Sequence, residues 1–454
     1  MKRKYTVFLI LFLLLIACLF RVYTAAVVPF IPDEEDQIGF IKNISFAWDD
    51  LRLPIGNRVM QNPLLCSYVV KLTVDLFGQS QLGIRLVFIL LGTLGLFFIY
   101  KLVEENIETK TALLSLFLLA FSQYHIGVTR FAYEGALSFF FMPLAFYTFL
   151  QGLKTQQTKY VMYTAVLIGF GILAYEAMTL FAFALFLYLL IKNGFWFRRK
   201  EFYFSLLISF LIISPYLFWS YNNAFSKLSS EHFFEFGFSL RSFYLYFAEL
   251  LPLFNQFIPV FVWDLKEESI YYITHGGEPF FLSATSNELP VIHWPLGILI
   301  VIGFLYCLKQ RNKNEFISFC LFLFSFVFIS TSLIAGSHSL FDDHWWAGIT
   351  LFPGVILCSH MLIDILNKYR FFKFMIAGLI IYFFLHALYF INLPESQFAL
   401  PKKDLYAYYL DRAEIYQTAG RSGLAMRRCR WVLSKTQDKT LVERAENILS
   451  KIQH

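Results

Sequence analysis

A chain of 454 residues with 58% hydrophobic side chains, 56 Phe and only 15% charged residues is not an ordinary soluble domain, which carries about 25% charge. A mean hydropathy of +0.58 and repeated apolar runs of roughly 16–25 residues point to an all-α polytopic membrane protein, since a β-barrel would alternate instead. The net charge of +6 says less than the placement of the charges, and a nucleic-acid partner is not expected.

The chain opens Met1-Lys2-Arg3-Lys4 and stays apolar to Val28. The run exceeds a signal-peptide core, so it reads as an uncleaved anchor, with Ala25-Ala26 a weak signal for cleavage. Eleven spans are expected, at about 5–28, 84–103, 113–129, 136–153, 160–175, 177–191, 202–221, 294–308, 316–335, 346–365 and 371–391. The stretch 160–191 reads as a tight hairpin turning at Tyr175-Glu176; one tilted helix is the alternative and would invert everything after it. The segment 62–77 is apolar but holds Lys71 and Asp75, charges that cost at least about 2.5–3.5 kcal/mol at a bilayer centre. It therefore reads as a helix lying in the interface. The six cysteines form no CxxC pair and read as small buried hydrophobes.

With the N-terminus inside, Lys and Arg crowd the short inner segments, among them Lys101, Lys154, Lys192, Arg198-Arg199-Lys200, Lys309 and Lys368. That satisfies the positive-inside rule and places the segments 29–83, 222–292 and 336–345 outside. The membrane domain is expected over 1–391, in a bacterial inner or plasma membrane, with a soluble-looking tail over 392–454. In that tail Ala413, Tyr416, Gly420, Ala425 and Cys429 fall at offsets like those of a tetratricopeptide-type hairpin, and 439–452 reads as a third amphipathic helix. It serves as a structural appendage or binds a partner or lipid headgroups.

The polar residues gather at one face. Asp33, Glu34, Glu35 and Asp36 follow the first span, and Arg85 opens the second. Arg130 and Glu134 sit in the next outer turn, Glu176 in the following one, and His338, Asp342, Asp343 and His344 in the last outer loop. A carboxylate can take a proton from an attacking hydroxyl, and arginine's planar fork matches phosphate oxygens. A sugar linked through phosphate to a membrane lipid needs both groups at headgroup depth. Each residue also has a plain alternative: acids after a span are often only solvated, and Arg130 can snorkel to the interface. His338, Asp342, Asp343 and His344 are residue types that ligate zinc or manganese, so a divalent cofactor, a role in substrate binding and a merely solvated loop are the three expectations. His275-Gly276-Gly277-Glu278 reads as an ordinary loop turn.

Four places resemble the lipid-linked GT-C glycosyltransferases, in particular the protein O-mannosyltransferase and aminoarabinose transferase branch. They are Asp33-Glu34, the stretch Asn62-Pro63-Leu64-Leu65 with Phe77-Gly78 and Arg85, the pair Thr129-Arg130 followed by Glu134, and the hairpin GFGILAYEAM. The resemblance covers about residues 1–190, with weaker echoes to 391. It implies a GT-C-like bundle and an inverting transfer from a polyprenyl-phosphate sugar to a glycan, lipid or protein hydroxyl. Asp33 would then be the general base, and Glu34 would orient the base or acceptor. Arg130 and Arg85 would serve the lipid phosphate or brace the cavity, and Asp36, Glu134, Glu176 and His344 would join in substrate binding. The chain departs from the branch where His344 and Pro353 replace an Arg-Tyr and Pro pattern, and where Glu176 stands in place of a basic residue. A transporter or flippase of lipid-linked glycans, or a polysaccharide polymerase or ligase built on 222–292, are the competing readings.

Overall fold

The computed structural model describes residues 3–27, 32–48, 50–55, 64–175, 178–192, 194–228, 294–310, 314–334, 348–392 and most of 406–453. The described residues are almost wholly helical, with one isolated β-bridge between Ser45 and Arg52. The chain divides into two units, one of residues 1–278 and 288–391 and one of residues 279–287 and 392–454.

In the larger unit the helices are α1 (Arg3–Val27), α2 (Pro32–Phe40), α3 (Leu65–Phe77), α4 (Gln81–Asn106), α5 (Thr109–Ala120), α6 (Gln123–Thr129), α7 (Glu134–Thr155), α8 (Thr158–Ala174), α9 (Met178–Lys192) and α10 (Lys200–Leu228). After the long gap come α11 (Trp294–Lys309), α12 (Glu315–Ile334), α13 (Gly348–Lys368) and α14 (Lys373–Asn392). Ten of the eleven expected spans overlap a single helix each, and α1, α4, α7, α10 and α13 contain stretches long and apolar enough to cross a membrane. The rest are shorter apolar helices.

Two details differ from the expectation. The run 113–129 is broken: Phe121 ends α5, and Ser122, in an extended conformation, caps α6 by accepting from the His125 amide. A serine in that role satisfies a helix-start donor and so favours a new helix over a continuous one. The tenth helix also runs on to Leu228, beyond residue 221. The stretch 160–191 does form two helices, parted at an extended Tyr175. At 13 residues α3 is about 20 Å long by helical rise, too short for a hydrocarbon core of about 30 Å. Its Lys71 and Asp75 pair with each other.

Glycines set the close approaches. The C-cap of α3, Gly78, has φ +79°, a conformation that only glycine adopts without steric penalty. Ser80 then caps α4 by accepting from the Gly83 amide at 2.9 Å. A Cβ on Gly83 would lie 2.6 Å from the Gly78 carbonyl oxygen, so this turn admits no side chain there. Further along α4, a Cβ at Gly92 would meet Thr129 at 2.7 Å and one at Gly95 would meet the Phe139 carbonyl oxygen at 2.0 Å. These two glycines bring α4 against α6 and α7. Elsewhere the core is aromatic: Phe146, Phe181, Phe319 and Phe352 stack edge to face or tilted across α7, α9, α12 and α13. Many outer residues of α1 and α10, such as Phe8, Leu11, Phe210 and Phe218, are exposed, as expected of a surface facing lipid.

Among the described residues of this unit most charged groups lie toward its two ends. Glu34, Arg85 and the 130–134 link meet at one end. At the other end Glu105 of α4 accepts from Tyr147 and Gln151 of α7, and Asp364 meets Tyr306 and Lys368. Helices α4 and α7 therefore run parallel, returned by α5 and α6, and residues assigned by charge to the inner side lie together. In the smaller unit, α15 (Ser422–Lys435) packs on α16 (Lys439–Gln453) through buried Ala425, Cys429, Leu441, Ala445 and Ile448. Arg444 reaches Glu414 at 3.0 Å.

Replacing Gly95 by Leu drives atoms into a backbone carbonyl, and it is expected to lower stability by about 1–3 kcal/mol or more. Gly378→Ala, where no atom lies within 4 Å, is expected to be neutral or to gain up to about 1 kcal/mol. Melting curves in detergent read both.

Candidate active site

The site grows from α2. Glu34 and Gln37 are three residues apart and share a helix face; both are buried. Opposite them Arg85 stands in the second turn of α4, placed there by the Gly78–Ser80 turn. Arg85 Nε donates to Glu34 Oε1 at 2.7 Å and Nη2 to Oε2 at 2.5 Å, a two-pronged pair with neither side chain exposed. Arg85 Nη1 donates to the Ala25 carbonyl at 2.8 Å, and the Ala132 amide donates to Glu34 Oε1 at 2.8 Å. One ion pair thus ties together the end of α1, α2, the start of α4 and the link between α6 and α7.

That link carries Arg130, which is buried, with Cζ 4.7 Å from the Phe131 ring centroid. Arg85 Cζ lies 4.8 Å from the same centroid. Burial and the neighbouring Arg85 pull the Arg130 pKa down to about 9, with Glu34 opposing, so the guanidinium stays charged at neutral pH. Beside it Gln37 Nε2 donates to Glu134 Oε1 at 3.0 Å, while Gln37 Oε1 accepts from Ser67 of α3.

One helical turn further into the bundle lies a second buried arginine, read in the sequence only as part of an apolar run. Arg21 Nε donates to Thr129 Oγ1 at 2.8 Å and Nη1 to the Ala17 carbonyl at 2.7 Å. Arg21 Nη1 also reaches the Ala120 carbonyl at 3.3 Å, and Nη2 lies 2.7 Å from His125 Nδ1. Since Arg21 has only donors, His125 Nδ1 accepts and the imidazole proton sits on Nε2. A charge inside a long apolar helix is costly and almost always paired; that was the available signal. The Thr-Arg pair of the sequence motif gains a physical meaning: Thr129 receives Arg21, and Arg130 follows it into the site.

The expected residues therefore divide. Glu34, Arg85, Arg130 and Glu134 come together at one end of the larger unit. Asp33 lies in the first turn of α2 next to Glu34, but its side chain and that of Asp36 lie outside the described residues, as do Glu176, His338, Asp342, Asp343 and His344. Among the described residues no group of three or more His, Cys, Asp or Glu could hold a metal.

Comparison with known proteins fits this geometry. The profile of the family described as Dolichyl-phosphate-mannose-protein mannosyltransferase matches residues 61–219, from just before α3 into α10. Among curated proteins no significant match is found. ArnT from Cupriavidus metallidurans, solved bound to undecaprenyl phosphate, superposes with a TM-score of 0.53 at 14% identity, over 100% of this chain and 76% of that one. The Archaeoglobus fulgidus oligosaccharyltransferase in its apo form gives 0.51 at 17% identity, over 99% of this chain and 60% of that one. The same enzyme tethered to an acceptor peptide gives 0.52 at 16%, over 91% and 57%. This chain thus spans about three quarters of the first relative's length and less than two thirds of the second's.

Removing one partner of a buried pair leaves the other charge uncompensated. Glu34→Gln is expected to destabilise the protein by about 3–5 kcal/mol, and Glu34→Leu with Arg85→Leu to recover much of that loss. Denaturation of the purified variants in detergent measures the difference.

The likeness to both relatives is one of fold, and with α1–α14 and the helix-end cluster in place this chain is an integral membrane protein of the GT-C fold.

Proposed function

We propose that the protein transfers a sugar from a polyprenyl-phosphate donor to an acceptor hydroxyl at the extracytoplasmic face of a bacterial membrane, through eleven crossings with the N-terminus inside. The observation that carries this reading is the buried Glu34–Arg85 pair, which fixes the first turn of α2 beside buried Arg130.

In this reading Asp33 is the general base. The acceptor oxygen attacks the anomeric carbon, and its proton passes to the Asp33 carboxylate. The bond from that carbon to the phosphate oxygen breaks on the opposite side, and polyprenyl phosphate leaves with the electron pair. One in-line displacement inverts the centre and needs no covalent sugar intermediate. Arg130 is the cation for the phosphate, since arginine binds phosphate through two parallel donors. Arg85 and Glu34 act as positioning residues because their polar atoms are engaged with each other and with the backbone. Glu134 and Gln37 support the rim, and Asp36, Glu176 and His344 remain candidates for sugar or phosphate contacts. The loop residues His338, Asp342, Asp343 and His344 remain the candidates should a divalent metal take part. Nothing in the arrangement selects hexose over pentose, or one acceptor class over another.

Mass spectrometry of polyprenyl-linked and surface glycans tests the reading. Cells lacking the chain should accumulate a glycosylated polyprenyl phosphate and lose one glycan modification. Asp33→Asn should reach the membrane at normal levels yet restore at most about 1% of the product, since general-base catalysis contributes some 10²–10⁴-fold. Full restoration by that variant would remove Asp33 as the base, and an unchanged glycan profile in cells lacking the chain would remove the activity.

A further inference from the structure

Helices α7, α8, α9 and α10 line a groove of about 340 Å³. It runs from Leu153 and Val161, at the basic end, to Ile172 and Thr179, so it follows α8 for about 17 Å by helical rise. Its lining is almost entirely apolar, with Phe149, Ile168 and Phe183 among the walls. A long narrow apolar slot suits a hydrocarbon chain.

The basic end of the slot carries charge of one sign. Between Lys192 and Phe202 the chain holds Lys192, Arg198, Arg199 and Lys200 against one acid, Glu201. Trp196 joins the two features. It is 1% exposed, lines the groove, and carries the Arg199 guanidinium 4.7 Å from its ring centroid. Arg199 Nη1 also donates to the Gln156 carbonyl at 3.1 Å, which pins the cation over the indole. The Trp196 indole N–H has no acceptor among the described residues, at the place where apolar lining meets cations.

We infer that this groove is a binding site for an anionic glycerophospholipid of the surrounding leaflet, with one acyl chain along α8 and the phosphate among Lys192, Arg198, Arg199 and Lys200. Basic residues near a membrane surface each attract anionic lipid by about 1 kcal/mol, which gives the site its preference for a charged headgroup. Its headgroup end lies at the opposite end of the unit from the Glu34–Arg85 pair, so the inference holds whether or not the sugar-transfer reading holds.

Native mass spectrometry of the purified full-length protein with lipids of identical acyl chains tests it. Phosphatidylglycerol should be retained over phosphatidylcholine by at least about fivefold. Ala182→Phe, which fills the slot, should abolish that excess, and so should the independent filler Ala165→Leu. Arg198→Gln with Lys200→Gln, both exposed residues, should reduce the preference about fivefold per charge removed. Equal retention of the two lipids would overturn the site. So would a preference that survives both fillers, or stronger retention of undecaprenyl phosphate than of phosphatidylglycerol in a manner that either filler abolishes.

Discussion

A carboxylate and a guanidinium, both shut away from solvent, hold one end of this protein together. Taking two such charges out of water costs several kcal/mol per ion. The cost is offset only because every strong partner is present: two hydrogen bonds between Glu34 and Arg85, the Ala132 amide on the acid and the Ala25 carbonyl on the base. The pair cannot form unless α1, α2, α4 and the 130–134 link arrive together. It therefore specifies how the end of the bundle assembles as well as adding stability. The Gly78 turn, the Ser80 cap and the glycines of α4 serve the same end by fixing where Arg85 stands.

Beneath it, Arg21 repeats the device with neutral acceptors. It joins α1 to α5 and α6 through the Ala120 carbonyl, His125 and Thr129, and Thr129 directly precedes Arg130. Arg21, through the Thr129 hydroxyl, and Glu34, through the Ala132 amide, hold the chain on either side of Arg130. Apart from Arg21, which lies one turn inside at the break between α5 and α6, most charged groups described in this unit sit toward the helix ends, whereas transporter binding sites lie at the bilayer midplane between discontinuous helices.

Much of the architecture was legible in the residues. Long apolar runs and the clustering of Lys and Arg located the helices and brought the same residues to the same end. The turn at Tyr175 and the meeting of Glu34, Arg85, Arg130 and Glu134 followed from charges placed where a membrane span begins or ends. Three features were harder to read. The break at Ser122 was hidden because a single capping serine inside an apolar run barely changes its hydropathy. Arg21 was hidden for the same reason, although an arginine within a span is itself a flag. Which of four consecutive acids meets the arginine is a matter of helical phase: neighbours on a helix point about 100° apart. Only the seating of α2 on α3, with the Glu34 carboxylate on Arg85, assigns that role to Glu34. Telling a brace from the proposed phosphate ligand was likewise beyond composition, because the pairing of Arg85 with Glu34 emerges only in the packed structure.

If the Glu34–Arg85 pair is a fixed brace, the proposed donor phosphate is held on the Arg130 side of the site. A cryo-electron microscopy map of the full chain in lipid nanodiscs with undecaprenyl phosphate tests this directly. Phosphate oxygens are expected within about 2.7–2.9 Å of the Arg130 guanidinium, with Glu34 and Arg85 still paired. A phosphate seated on Arg85 with Glu34 displaced, or held at a site remote from both arginines, would contradict it.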